Sequence, residues 1–352
     1  MDYHAADKIL AQLDRKLRII FLLQPTNTMT EQRKFLQQLN YNPQFRYPKP
    51  KIDFDQIKNQ LKQIKTNPSS FGLILNNKRR ELLNALFLLQ NLGHASSFTK
   101  QSIALYGQPS TNLILAAQKI VKNTSTHSSQ HTEQELVNAI EFKQLFDRTL
   151  SQLKLNWHTQ INQKIIARVT TMYYGRKIKI KQSLKTNYDE TKCLIQHELI
   201  HILRNENGRH QPYKIFASGM AGYLSTEEGI ACYQESKLPY FSKRLWLFSL
   251  RTLAVANALE KSFSQTYESL IRYGATPQLA WQTTLRVKRG LSDTGRVGAF
   301  TKDYLYLFGY YFIQDYLKQN GKINELMIGK ISPQDLSSIH QLPNIKTAKY
   351  IL

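Results

Sequence analysis

Between Ile195 and Arg204 the chain reads Ile-Gln-His-Glu-Leu-Ile-His-Ile-Leu-Arg, which sets His197, Glu198 and His201 in the pattern H-E-x-x-H. On an α-helix, residues four apart lie on one face about one turn apart, so both imidazoles can reach one metal ion while Glu198 points alongside it. The flanking residues predict that helix. Asn187 with Glu190 reads as a capping box, Leu194, Ile195, Leu199, Ile202 and Leu203 supply apolar positions, and Asn207-Gly208 offers a left-handed stop. A catalytic zinc site uses three protein side chains and leaves a fourth position for water. Downstream, the stretch Leu224 to Ala231 supplies two adjacent carboxylates, Glu227 and Glu228.

Further blocks accompany the motif. Asn207-Gly-Arg-His-Gln-Pro212 is followed by Phe216-Ala-Ser-Gly-Met-Ala-Gly-Tyr-Leu-Ser-Thr-Glu-Glu-Gly-Ile-Ala231, then by Arg286-Val-Lys-Arg-Gly-Leu-Ser-Asp293, Gly298-Ala-Phe-Thr-Lys-Asp303 and Tyr306-Leu-Phe-Gly309. With Tyr106-Gly-Gln-Pro109 upstream, this order resembles the zinc carboxypeptidase family that includes the microtubule-associated tyrosine carboxypeptidases and bacterial proteins named for a Q-E-G-L-A motif. The resemblance implies that Glu228 is the third zinc ligand beside His197 and His201, with Glu227 just before it. One departure stands out. The family commonly has three residues between the glutamate and the second histidine, whereas here only Leu199 and Ile200 separate Glu198 from His201. Alignment on the shared His-x-Leu-Arg still places His201 at the second ligand position.

One Zn2+ per chain is therefore the expected cofactor, lowering the pKa of its water and polarising a carbonyl, with Glu198 as general base. Glu227 is expected behind the ligands or against a substrate amide. An enzyme that trims a chain end has to recognise a free carboxylate, and Arg286, Arg289 and Lys302 lie in the block that the resemblance places along the active site. As solvated helix charges they would have no such role. Tyr306 and Tyr223 are candidates for an aromatic pocket or an oxyanion donor, with core packing as the alternative. Gly290, Gly298 and Gly309 are expected to shape turns and close packing. The resemblance implies a carboxypeptidase acting on a protein or peptide C terminus, with tubulin's acidic, tyrosine-ended tail as the implied substrate.

The remaining chain reads as helical on both sides of a short β region. The charge balance, 48 Lys plus Arg against 25 Asp plus Glu for a net +23, favours acidic partners: acidic protein tails, nucleic acid or an anionic surface. Cys193 and Cys232 are the only cysteines, which excludes a disulfide framework, and both are expected as small buried residues behind the site. Met1 to Leu23 has helical spacing without a signal peptide's apolar core, and no stretch is long enough to span a bilayer, so a cytoplasmic protein is expected, delivery by a specialised secretion system aside.

Helices are predicted from a Thr28/Glu31 capping box, at Asp55 to Ile64, Arg79 to Leu92, Thr111 to Val121 and about Glu133 to Leu153 behind a Thr132/Glu135 cap. More follow at Phe241 to Phe263, Tyr267 to Tyr273, Pro277 to Lys288 and Lys302 to Leu317, and Tyr47-Pro-Lys-Pro50 breaks the pattern. Asn123 to Gln130 reads as a loop, with His127 and His131 as solvent-exposed residues. Ile165 to Thr171 and Lys177 to Lys181 read as antiparallel strands, the second an edge strand, either pairing with an extended substrate or blunted by its lysines. The expected fold is thus α+β and predominantly helical: an N-terminal helical region over 1–122, a gluzincin-like metallopeptidase core with a small antiparallel sheet over 133–318, and a helical tail over 319–352. Two other functions fit the same residues: a zinc endopeptidase, and a basic nucleic-acid- or microtubule-binding module whose metal site is not catalytic.

Overall fold

Helices dominate the fold because apolar residues recur at helical spacing along most of the chain; strands are confined to short segments between Val137 and Thr186. The computed structural model describes residues 2–17, 19–38, 40–124, 136–163 and 165–351. The architecture is α+β. Helices Phe54–Gln63, Thr111–Asn123 and Pro277–Lys288 lie close to their expected bounds, and the N-terminal pattern resolves into Tyr3–Lys16 and Ile19–Leu22. His127, His131 and the Thr132/Glu135 cap lie outside the described residues; the helix expected there begins at Ala139, where Asn138 and Glu141 form the reciprocal box.

Several local expectations are corrected by tertiary contacts. Glu31 does not cap its helix, whose N-cap is Asn27; buried, it accepts from the Tyr41 hydroxyl at 2.5 Å and Gln44 N at 2.8 Å. Asn187 does accept from Glu190 N at 2.8 Å, but the Glu190 carboxylate turns to Arg168 instead of completing a box. Asn207-Gly208 is no stop, because helix Tyr188–Arg209 runs through both residues. The Asn207 amide donates to Met327 O and Tyr350 O, and at Gly208 an added Cβ would stand 2.2 Å from Phe216 O. Helix Ala95–Tyr106 escaped prediction since its buried face is Phe98, Thr99 and Ser102. Those hydroxyls serve the loop before Lys302: Ala299 N donates to Thr99 Oγ1 at 3.0 Å and Thr301 N to Ser102 Oγ at 2.8 Å.

The sheet is mixed rather than antiparallel. Val169–Met172 pairs antiparallel with Lys177–Lys181 as expected, but His158–Asn162 adds a parallel partner on the other side. Lys177–Lys181 is therefore the central strand, with Ile178 and Ile180 in the core, and neither edge reading of its lysines applies. The edge nearest the metal-motif helix is Val169–Met172. Beyond Lys318 the chain forms short helices, Ile323–Leu326 and Leu336–Ile339, and Leu326, Met327 and Ile331 enter the largest core cluster.

Helices Tyr223–Glu235 and Leu305–Lys318 touch backbone to backbone. A Cβ on Gly229 would stand 2.3 Å from Gly309 O, and one on Gly309 2.4 Å from Ser225 O. Only hydrogen atoms fit between them, which draws the start of the second helix towards Glu228. Gly309→Ala should therefore lower the unfolding free energy by about 1–3 kcal/mol, the usual cost of overpacking, as read from urea unfolding curves; an unchanged midpoint would contradict the close approach.

Candidate active site

Glu198 and both histidines lie on one regular helix, and the adjacent helix Tyr223–Glu235 brings Glu228 against them. The helix contains no π-turn between His197 and His201, and their rings lie 4.8 Å apart, nearly perpendicular. Glu228 Oε2 is 3.3 Å from His197 Nε2 and 3.8 Å from His201 Nε2. The three residues can present ligand atoms all within 4.8 Å of one another, and all three are buried. A tetrahedral ion with bonds of about 2.0–2.1 Å sets its ligand atoms roughly 3.3–3.5 Å apart, so a small divalent cation fits.

The outer nitrogens of the two imidazoles face carboxylates. His197 Nδ1 is 2.7 Å from Glu235 Oε1, and Glu235 is held in turn by Arg244. His201 Nδ1 faces Glu227 Oε1 at 3.3 Å. His197 Nδ1 is thus held by a carboxylate, whereas His201 Nδ1, like Glu228 Oε2, is a buried atom without a hydrogen-bond partner, and the two Nε2 atoms converge with Oε2. Burial disfavours a charged His197, but Cys232, Glu228 and Glu235 together outweigh it and raise its proton affinity well above the ordinary value.

Each carboxylate has its own cation. Lys302 Nζ lies 2.7 Å from Glu228 Oε1, and Arg204 donates to Glu227 Oε2 at 2.6 Å. Arg204, wholly buried, also binds Leu326 O and Ile331 O, which ties the C-terminal segment to the site. Glu227 further accepts from the Tyr173 hydroxyl at 3.2 Å, with Lys330 Nζ 3.9 Å away. Glu198 accepts from Thr171 on the sheet edge at 2.6 Å through Oε2, while Oε1 accepts no hydrogen bond from any described residue.

The other sequence candidates divide. Tyr306 stands beside the cluster, its ring 5.9 Å from that of His197 and stacked on Phe248. Arg286 and Arg289 lie one layer back, both directed at the buried Asp303, the former in a two-pronged pair and the latter at 3.8 Å. Tyr223 fills the space over Gly219 on the Glu227 side, near Lys330 and Lys78. Cys193 and Cys232 are free and buried, Cys232 next to His197; burial pushes its thiol up to about 11. Sequence reasoning missed Glu235, Arg244, Thr171, Tyr173 and Arg204. Glu235 was within reach of it, since positions 228 and 235 repeat at two helical turns on one face.

The family model described as "Microtubule-associated tyrosine carboxypeptidase" matches residues 32–350, so the match takes in the segment after Lys318, where the sequence alone gave no family signal. Microtubule-associated tyrosine carboxypeptidase 1 of Homo sapiens is 31% identical over 158 residues, 42% of this chain and 32% of the relative. The Mus musculus protein of that name is 29% identical over 157 residues, covering 42% and 32%. Putative tyrosine carboxypeptidase MATCAP2 of Homo sapiens is 29% identical over 157 residues, covering 42% and 29%. The aligned region thus spans about a third of these relatives' own length.

The Glu227–Arg204 pair gives the site a stability signature. Burial alone would raise the Glu227 pKa, but Arg204 and Lys330 outweigh it and bring it from the ordinary 4.5 down to about 2. A folded-state pKa below the unfolded one gives stability that is complete above about pH 4.5 and lost as pH falls towards 2. Glu227→Gln should therefore be less stable at pH 7, by about 3–5 kcal/mol if Arg204 stays charged and buried. Its stability should also fall less steeply than the parent's below pH 4.5, in urea titrations at a series of pH values.

Proposed function

The chain belongs to the microtubule-associated tyrosine carboxypeptidase family, and from that premise we propose that it is a zinc-dependent metallocarboxypeptidase that removes the C-terminal residue of a protein or peptide. The observation that carries this reading is the convergence of three buried ligand atoms, His197 Nε2, His201 Nε2 and Glu228 Oε2, with Glu198 on the same helix, held by Thr171 through Oε2 alone. When bound there, a zinc ion supplies a Lewis acid for the scissile carbonyl and makes water a nucleophile near neutral pH.

The chain's own residues supply the remaining steps. Glu198, oriented by Thr171, accepts a proton from the attacking water at Oε1 and returns it to the leaving amine. Glu235 holds the His197 imidazole with its Nε2 turned inward, and Glu227 lies against the outer nitrogen of His201, where it can orient that ring. Lys302 balances Glu228 while leaving its Oε2 uncommitted. Tyr306, next to His197, is placed to contact the residue being removed.

The substrate class we propose is an acidic, tyrosine-ended tail such as tubulin's: the relatives are named microtubule-associated tyrosine carboxypeptidases, and this chain's net charge of +23 suits an acidic tail. No described helix is long and apolar enough to cross a membrane, and a cytoplasmic location suits such a substrate. A binding module with an inert metal has no use for a carboxylate held by Thr171 beside the ligands, which is why we favour an enzyme over that reading.

Incubation with peptides ending in different residues, followed by mass spectrometry of the products, is expected to show loss of one terminal residue. Blocking the terminal carboxylate should abolish cleavage; internal cleavage of the blocked peptide would make the protein an endopeptidase. Elemental analysis should find one zinc per chain, and a chelator should remove it together with activity. Glu198→Gln should keep the zinc and lose about 100- to 10,000-fold in kcat, the range for removal of a general base. Normal turnover by that variant would mean that the base has been misassigned.

A further inference from the structure

Positive charge around the metal cluster is nearly all committed. Lys302 is held by Glu228, Arg244 by Glu235 and Arg204 by Glu227, while Arg286 and Arg289 both face Asp303. Arg251 is different. It lies on helix Phe241–Glu260 three residues after Phe248, with its guanidinium carbon 4.6 Å from the centre of the Tyr306 ring. Phe248 stacks on the same ring, and Tyr306 stands 5.9 Å from His197. Among the described residues, Arg251 has no carboxylate at ion-pair distance and no hydrogen-bond partner, and its side chain is only partly buried.

We propose that Arg251, seated on Tyr306, binds the free α-carboxylate of the substrate's C-terminal residue. The inference rests on the carboxypeptidase reading and assigns the group that distinguishes a chain end from an internal peptide bond. Reach is consistent with this role. Arg251 can be no further from the His197 ring than the sum of its distance to Tyr306 and that of Tyr306 to His197. A single residue between scissile carbonyl and terminal carboxylate spans at most about 3.6 Å, and a charged hydrogen bond adds about 2.8 Å, so the role requires Arg251 to lie well inside that upper bound, against a terminal residue that rests on the Tyr306 ring.

Chemistry points the same way. A guanidinium offers two parallel N–H donors to a carboxylate, which fixes orientation as well as charge. Burial, then the charge of Arg286, pushes Arg251 down to about 10, so it stays protonated at neutral pH, and an incoming carboxylate offsets the repulsion from Arg286. Arg286 cannot turn to substrate without breaking its two-pronged pair with the wholly buried Asp303, which would keep only the longer contact to Arg289.

The test uses zinc-loaded full-length protein and two probes, N-acetyl-Glu-Glu-Tyr with a free terminal carboxylate and the same peptide as its C-terminal amide. Calorimetric binding is measured in a Glu198→Gln background, which prevents turnover, and kcat and KM are measured with Glu198 intact. The acid should bind more tightly than the amide. Arg251→Gln should weaken acid binding by about 10- to 100-fold, the range for lost charged hydrogen bonds, raise KM for the acid correspondingly, and leave the amide unaffected. Arg251→Lys should restore part of the loss, and the zinc content and unfolding midpoint of both variants should match the parent. The proposal is overturned if Arg251→Gln keeps the full preference for the acid, or if the parent shows none. The two readings separate cleanly: an acid preference that depends on Arg251 without parental turnover would sink only the hydrolytic function, whereas turnover whose acid preference survives Arg251→Gln would sink only this subsite.

Discussion

A buried carboxylate stays charged only if a cation or hydrogen-bond donors compensate it, and around His197, His201 and Glu228 cations do so. Glu228, Glu227 and Glu235 are all nearly inaccessible, and each has a basic partner from a different part of the chain: Lys302, Arg204 and Arg244. A carboxylate in a low-dielectric interior without such a partner would take up a proton and cease to orient anything. The compensation therefore fixes function as well as stability. Glu235 holds His197 with Nε2 turned inward, and Glu227 faces the outer nitrogen of His201.

Hydrogen bonds to backbone extend this network of buried polar groups to both terminal regions. Arg204 completes its donor set on the carbonyls of Leu326 and Ile331, Asn207 and Gln211 bind backbone near Tyr350 and Lys346, and Asp7 accepts from Lys214 N and Ile215 N. The long helix is thus buried along its second half by segments far away in sequence. This is how a helix with Asn205, Glu206 and Asn207 in succession can be almost wholly buried: each polar side chain has a partner.

Legibility in the sequence followed the range of the interactions. His197, Glu198 and His201 were readable because their relation is local, set by the helical repeat. Glu228 came from family resemblance, since nothing local says that helix Tyr223–Glu235 packs against helix Tyr188–Arg209; the close contact of Gly229 with Gly309, which aligns the next helix, is visible only in three dimensions. Local signals failed where a tertiary partner outbid them. Glu31 and Glu190 are well placed to complete capping boxes, yet Tyr41 and Arg168 take their carboxylates. Strand His158–Asn162 was missed because His-Thr-Gln-Ile-Asn shows no apolar alternation, and its addition turned the lysine-rich strand from edge to centre.

Charge shows the same contrast between local and global information. The net +23 suggests attraction for an acidic partner, but the cations paired inside the site cannot supply it, because their fields are cancelled by the carboxylates they hold. The attraction has to arise from exposed lysines and arginines, whose reach is limited by screening to about 8 Å at physiological salt. Such a field speeds the encounter with an acidic chain without specifying which of its bonds is presented. Selection of a terminal bond requires a cation that is fixed, close to the metal cluster and not already neutralised, and these conditions exclude most of the chain's 48 basic residues however strongly they attract.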